Sequence, residues 1–324
     1  MAEKKHSTLA LLDILREYSD EDHILTAKQL QEHLQNSYGL QLERRTLYSN
    51  MDILEQDGIK ISRYEDNGKG YYLEQRQFDP GEVLLLCNAI HASHFISQNQ
   101  SDAMIEKLLH TQSRYQRQDY RSNVYLPNNR KTENSELVYT IHLVSDAIRE
   151  GKELRFTYLH YDVNKNLVPK RAKQYTVEPR YIVYADSRAY MIVTSKHHPG
   201  FGHYRLDRMK NAHMTDGKVI PMEKTDDTYE YAKNQLFMFA GPLERVQFLC
   251  HERIMDHMMD LFGTEVFVMP KDEETFTITV SASRKGAKFL AQQYLESMEI
   301  LEPEDLREEF LGELEEAANR YRKD

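Results

Sequence analysis

Apolar residues recur at helical spacing through the first fifty-odd positions of the chain. Leu11, Leu12, Leu15 and Tyr18 fall on one side of a helix that Ser7 can cap and that the acidic stretch 19–23 ends. Thr26 and Gln29 stand in capping-box relation, with Leu30 and Leu34 one turn apart, which predicts a second, shorter helix ending near Gly39. A third helix is expected from about Glu43 to Asp57, with Leu47, Met51 and Leu54 as its apolar stripe and Gly58 as its left-handed stop. From Ile59 to Leu73 the period changes to alternation around Asn67 and Gly68, a hairpin signal. Asp79 and Pro80 open a further helix through Val83, Leu84, Leu86, Ala89 and Ile90, and Ser101 can cap another carrying Met104, Ile105, Leu108 and Leu109. These two are apolar enough to pack on something, either a second copy of the chain or an internal core. The polar stretch 126–135 reads as a linker, and a helix from Ser135 to Glu150 is stopped by Gly151.

Beyond Gly151 the period becomes that of strands. Segments 153–161, 173–186 and 189–196 alternate or run apolar, with short turns at 164–166 and 186–188, and 203–217 follows the turn at 198–200. Several short strands at close spacing predict a small antiparallel β-barrel. On an unbroken strand His203, Arg205 and Asp207 share one face, and Arg208 joins them only through a bend. The last hundred residues read strand (244–251), helix (252–263), hairpin over Lys271–Glu274, helix (284–295), strand (297–303), which is the β-α-β-β-α-β order of a ferredoxin-like fold; an acidic helix, Glu304–Tyr321, closes the chain.

Composition narrows the classes. The 324 residues allow two or three domains, and no apolar run approaches the roughly 20 residues of a membrane span. No apolar signal core follows the first residues, so a cytoplasmic protein is expected, with Cys87 and Cys250 as two buried thiols. The net charge of −10 hides a contrast: residues 139–220 carry 14 Lys and Arg against 8 Asp and Glu, while 221–324 carry 12 against 23. A basic block inside an acidic chain suits an anion-binding surface or a plain solvated face. No nucleophile elbow, phosphate loop, dinucleotide fingerprint or zinc-protease motif is present; Asp226-Asp227 and Glu315-Glu316 sit in charge runs, and His197-His198 lacks a third ligand. No enzyme activity, metal or cofactor is expected.

Three short helices and a hairpin are the parts of a winged helix-turn-helix, whose third helix enters the DNA major groove while the wing reaches backbone or minor groove. Arg45 is placed to reach guanine or phosphate, Arg44 and Tyr48 lie on the flank of that helix, and Thr46, Ser49 and Asn50 offer neutral hydrogen bonds; Arg63 and Lys69 sit on the wing. Protein contacts alone are the alternative use of such a unit, which carries 10 basic and 15 acidic side chains over residues 1–80.

The stretch 178–209 resembles the core of the WYL domain, an Sm-like β-barrel of bacterial transcription regulators. The family's Trp-Tyr-Leu strand motif reads Ala189-Tyr190-Met191 here, keeping only the tyrosine, and its downstream Arg-Leu-Asp-Arg segment is matched in full at Arg205-Leu206-Asp207-Arg208. The resemblance implies a winged helix (1–75), a helical linker (76–135), the WYL domain (136–222) and a C-terminal WCX extension (223–324) that dimerises, in an α+β chain. It further implies a homodimeric regulator, bound to double-stranded operator DNA, whose WYL domain senses a nucleotide or single-stranded nucleic-acid fragment. Arg205 and Arg208 offer planar donor forks to phosphate, Tyr190, Tyr204 and His203 stacking or hydrogen bonds to bases, and Arg180 and Lys196 further charge. The alternative is a nucleic-acid-binding accessory of a defence or repair complex, with no operator of its own.

Overall fold

The computed structural model describes residues 2–123, 131–185, 187–196, 198–221, 231 and 236–322. The chain divides into two compact units, Met1–Ser135 and Glu136–Asp324. No helix of the described residues is long and apolar enough to cross a membrane.

In the first unit, α1 (Ala2–Tyr18), α2 (Ala27–Tyr38) and α3 (Arg44–Gln56) bury Leu11, Leu15, Leu30, Leu34, Leu47, Met51 and Leu54 in one core. Thr26 and Gln29 do form a capping box, the Gln29 amide donating to Thr26 Oγ1 at 3.3 Å and the Thr26 amide to Gln29 Oε1 at 2.8 Å. Ser7 is not a cap: α1 starts upstream of it, and its hydroxyl is buried inside the bundle, accepting from Asn50 Nδ2 at 3.0 Å. The expected long hairpin is shorter and differently turned. Strands β1 (Ile61–Ser62) and β2 (Tyr72–Leu73) pair antiparallel, and a four-residue helix, α4 (Tyr64–Asn67), stands between them. Asp66 accepts from the Arg63 amide at 2.8 Å, which starts the helical turn, and Gly68 ends it at φ 67°. Asn67 is thus a peg rather than a hairpin corner: it accepts from the amides of Lys69 and Gly70 and donates to Ser62 Oγ and the Gly70 carbonyl. Gly70 is forced, because a Cβ there would lie 2.3 Å from the Leu25 carbonyl oxygen, whose residue bridges to Tyr71.

Three more helices complete the unit. They are α5 (Pro80–Ala92), α6 (Gln98–Leu109) and α7 (Arg114–Asn123), the last of which has no apolar stripe and escaped the sequence pattern. Ser97, not Ser101, is the N-cap residue of α6, since Ser101 is buried on the side that packs. Arg114–Asn123 docks on α1 through polar groups. Asp20 accepts from Ser113 Oγ at 2.5 Å and contacts His23 Nδ1 at 2.7 Å, the His23 ring stacks on Tyr115 at 3.7 Å, and Arg117 pairs with Glu17. The expected linker falls partly on residues 124–130, outside the described residues, as do His197 and Asp226-Asp227.

The second unit opens with α8 (Leu137–Glu150), closed by Gly151 at φ 61°. It packs on a curled antiparallel sheet made of β3 (Lys152–Tyr161), β4 (Leu167–Pro169), β5 (Tyr175–Ala185), β6 (Arg188–Ser195), β7 (His198–Arg205) and β8 (Met209–Lys218). The order is β4-β3-β5-β6-β7, with β8 paired to β3. A 3₁₀ turn, Leu206–Arg208, separates β7 from β8 and buries Leu206 and Asp207, so the stretch 203–217 is two strands rather than one and the sheet curls as a half-barrel. Further on, β9 (Leu243–His251), β10 (Phe267–Pro270), β11 (Thr275–Ser283) and β12 (Met298–Glu302) pair antiparallel in the order β10-β11-β9-β12. The helices Met255–Phe262, Arg284–Gln293 and Glu304–Tyr321 join Val246, Phe248, Cys250, Ile278 and Ile300 in its core through Met258, Leu290 and Phe310. Cys87 and Cys250 are both free and buried.

Candidate nucleic-acid face and ligand groove

Helix α3 carries the first set of expected site residues, and the structure divides them. Arg44 and Arg45 are exposed in its first turn, and Thr46 and Ser49 are half-buried beside them. Asn50 is fully buried, donating to Ser7 and accepting from Thr8 Oγ1 at 3.1 Å, so it ties α3 to α1 and is withdrawn from any reading face. Tyr48 leans into the core; burial and its hydrogen bond push the Tyr71 hydroxyl up to about 12. Arg63 is spent within the unit, with Nη2 2.6 Å from Asp52 and 2.8 Å from Glu55. Burial opposes its charge, but those two acids outweigh that and hold its pKa above the usual value. Lys69 stays exposed.

The second set shares the curled sheet without converging on one pocket. Arg205 closes a two-pronged pair on Asp207, Nε to Oδ1 at 3.0 Å and Nη2 to Oδ2 at 2.6 Å, and Asp207 is buried. The 3₁₀ turn brings them together, because it folds residue 207 back under residue 205. Arg180 donates to buried Glu178, to Thr194 Oγ1 and to the Ile220 carbonyl. Lys196 pairs with Glu153 at 2.6 Å. Each of these three cations is thus paired with an acid of the protein's own. His203 is half-buried, its Nδ1 2.8 Å from the Met238 carbonyl and its Nε2 enclosed; desolvation pushes its pKa down, which favours the neutral ring. Tyr190 is half-buried and pairs in register with Arg205. Arg208, outside the sheet ladder, lies over the Tyr161 ring at 5.3 Å.

Of the expected ligand residues, Tyr204 lines a cleft. A groove of about 390 Å³ runs along β5, β6 and β7, and its walls include Arg171, Lys173, Tyr175, Thr194, Phe201 and Tyr204. Its size falls in the range of small-molecule sites. None of its thirteen lining residues is acidic. Tyr204 packs edge-on against Phe156, Tyr158 and Tyr175 at 5.1 to 5.3 Å, and burial pushes its hydroxyl up to about 12. Arg171 spreads its guanidinium 3.5 Å above the Tyr175 ring, held there by bonds to the Lys173 and Gln174 carbonyls. Arg171 and Lys173 escaped the sequence reading because they lie in a polar connection before a strand; their signal was the basic charge of residues 139–220. Among the described residues no group of three or more His, Cys, Asp or Glu could hold a metal ion.

The second unit thus presents a curled antiparallel sheet with a helix packed on it and an acid-free groove of ligand size. Within it, residues 140–214 match the family model of the WYL domain. No curated protein matches the chain. Two solved structures are similar to it. One is proteasome accessory factor B/C (PafBC) of Arthrobacter aurescens, 16% identical with a TM-score of 0.28 over 99% of this chain. The other is described as a CRISPR Cas-related protein, 12% identical with a TM-score of 0.38 over 98% of this chain and 85% of that one. The chain spans about half the length of the first, 49%.

Proposed function

We propose that this chain is a nucleic-acid-binding regulator in which α3 contacts duplex DNA and the WYL groove takes an anionic ligand, and that it acts by binding rather than by catalysis. The observation that carries the reading is the acid-free groove with Arg171 and Lys173 on its wall, inside the segment that matches the WYL domain. A guanidinium over a tyrosine ring and a neighbouring ammonium offer a phosphate two cations and a base a stacking plane. In the first unit, the ribbon β1–β2 with its helical tip serves as the wing, and Arg44, Arg45, Thr46, Ser49 and Lys69 form the DNA-facing set. The four-stranded C-terminal sheet, read as a ferredoxin-like WCX extension, serves dimerisation, and the dimer spaces two α3 helices on a two-fold site.

The test is a pair of variants read by two assays. Arg171→Glu with Lys173→Glu is expected to lower affinity for a single-stranded oligonucleotide at least tenfold, in fluorescence anisotropy, while duplex binding persists. Unchanged oligonucleotide binding overturns the groove assignment. Discrete promoter peaks in genome-wide footprints separate a regulator with its own operator from an accessory of another complex.

A further inference from the structure

The first unit holds a second groove, of about 530 Å³, where α1, the strand end of β2 and the α6–α7 corner meet. Arg16, Lys60, Arg76 and His110 stand on its walls, and Leu12 and Leu73 give it an apolar floor. None of its eleven lining residues is acidic, although residues 1–80 carry 15 acidic against 10 basic side chains. Nor are those cations neutralised at short range: among the described residues none of Arg16, Lys60 and Arg76 has a carboxylate at ion-pair distance. The two acids whose charge acts on Arg76 have other partners, Asp20 in Ser113 and His23, and Glu17 in Arg117.

Arg76 is the keystone of the groove. Its Nη2 donates to the Ser19 carbonyl at 2.5 Å and its Nη1 to the Thr111 carbonyl at 3.3 Å, so one guanidinium joins the end of α1 to the end of α6. Burial pushes its pKa down, and the charges of Asp20 and Glu17 offset that only in part. We propose that this groove binds a small organic phosphate, its phosphate held by Arg16, Lys60 and Arg76 and its apolar body laid on Leu12, Ile59 and Leu73. A phosphate monoester brings between one and two negative charges and three acceptor oxygens, which is what three unneutralised cations lack. The ligand touches both the three-helix bundle and the α5–α7 connector, so its occupancy stiffens the joint between them. This site is separate from the groove on the WYL sheet.

The experiment uses the full chain with phenyl phosphate as probe and benzyl alcohol as an uncharged aromatic control of similar size. Amide hydrogen exchange is expected to show protection at residues 58–60, 75–77 and 110–111 at about 5 mM phenyl phosphate, which saturates any site tighter than about 1 mM. Benzyl alcohol at the same concentration leaves those amides unprotected. The double variant Arg16→Glu with Lys60→Glu changes only exposed side chains, keeps the fold, and lowers phenyl phosphate affinity at least tenfold by calorimetry, measured in the Arg171→Glu, Lys173→Glu background so that the groove on the sheet does not contribute. No protection, equal protection by benzyl alcohol, or undiminished binding in the double variant overturns the proposal. So does loss of duplex DNA binding by that variant without phenyl phosphate binding to the parent, which makes the groove part of the DNA contact.

Discussion

A guanidinium paired with a buried carboxylate is costly to strip, because it takes a counter-charge from an acid that water does not reach. Arg205→Ala therefore is expected to lower stability by about 3 kcal/mol, read as a fall in the urea midpoint, since Asp207 beneath it is 4% exposed. Arg208→Ala, which removes only a guanidinium 5.3 Å from a ring, costs under about 1 kcal/mol. Equal losses in the two variants contradict this division of the motif into a structural and a free arginine. The motif was legible in the sequence, but its division was not: alternation put Arg205 and Asp207 on one face of a strand, and only the 3₁₀ turn sets them in a two-pronged pair. Asp20 supplies a pH signature. Burial alone raises its pKa, but the hydrogen bonds from Ser113 and His23 and the nearby His23 charge outweigh burial and hold it below the ordinary carboxylate value. A group whose folded pKa is lowered contributes stability that is complete above its unfolded pKa and is lost as pH falls through the folded one. The stability gap between the parent and Asp20→Asn is thus expected to be full at about pH 6 and to shrink towards about pH 3. A gap that grows on acidification contradicts the sign.

At the scale of elements, what the sequence discloses depends on whether local rules act alone. The caps of α2 and the stripe of α3 were legible because a Thr-to-Gln box, or three leucine-class residues one turn apart, needs no distant partner. The long hairpin expected at 59–73 is not formed because Asn67-Gly68 suits two folds. A type I′ hairpin needs left-handed φ at both positions, whereas here Asp66 first builds a helical turn and only Gly68 is left-handed. Asn67→Ala removes four hydrogen bonds and costs about 1–3 kcal/mol, against near zero for the same change at Lys69. On α3 the periodicity put Arg45 and Asn50 together among candidate contacts, yet Asn50 turns inward to Ser7 and Thr8, a tertiary pairing that no pattern along one helix foretells. The two residues consequently separate by assay. Arg45→Ala is expected to weaken duplex binding by about 1–3 kcal/mol and flatten its salt dependence by about one ion, with stability unchanged. Asn50→Ala loses stability first. Arg45→Ala binding duplex with the parent's affinity and salt slope removes α3 from the DNA contact.

For the whole molecule, the division at Ser135 has a thermodynamic consequence. Each unit closes its own apolar core, one around Leu11, Leu34 and Met51 and the other around Phe248, Ile278 and Leu290. Units that each bury apolar residues of their own are expected to unfold as separate cooperative blocks, with two transitions on heating rather than one, and the fragments 1–135 and 136–324 are each expected to fold when expressed alone. The blocks also make ligand effects addressable. A ligand that binds only a folded block raises that block's stability by RT ln(1 + [L]/Kd), about 2.7 kcal/mol at a hundredfold excess over Kd, and leaves an independent block where it was. Duplex DNA is then expected to move the transition that fragment 1–135 reproduces, and a single-stranded oligonucleotide the one that fragment 136–324 reproduces. Regulation requires something more than this addition: with both ligands present, the two shifts must depart from their sum, by a coupling energy that is the same whichever ligand is added first. Calorimetric scans of the full chain with each ligand and with both measure that energy directly. Strict additivity leaves two binding functions in one polypeptide and no communication between them, while a departure of about 1 kcal/mol or more is the quantity by which a ligand on the WYL sheet changes the hold of α3 on DNA.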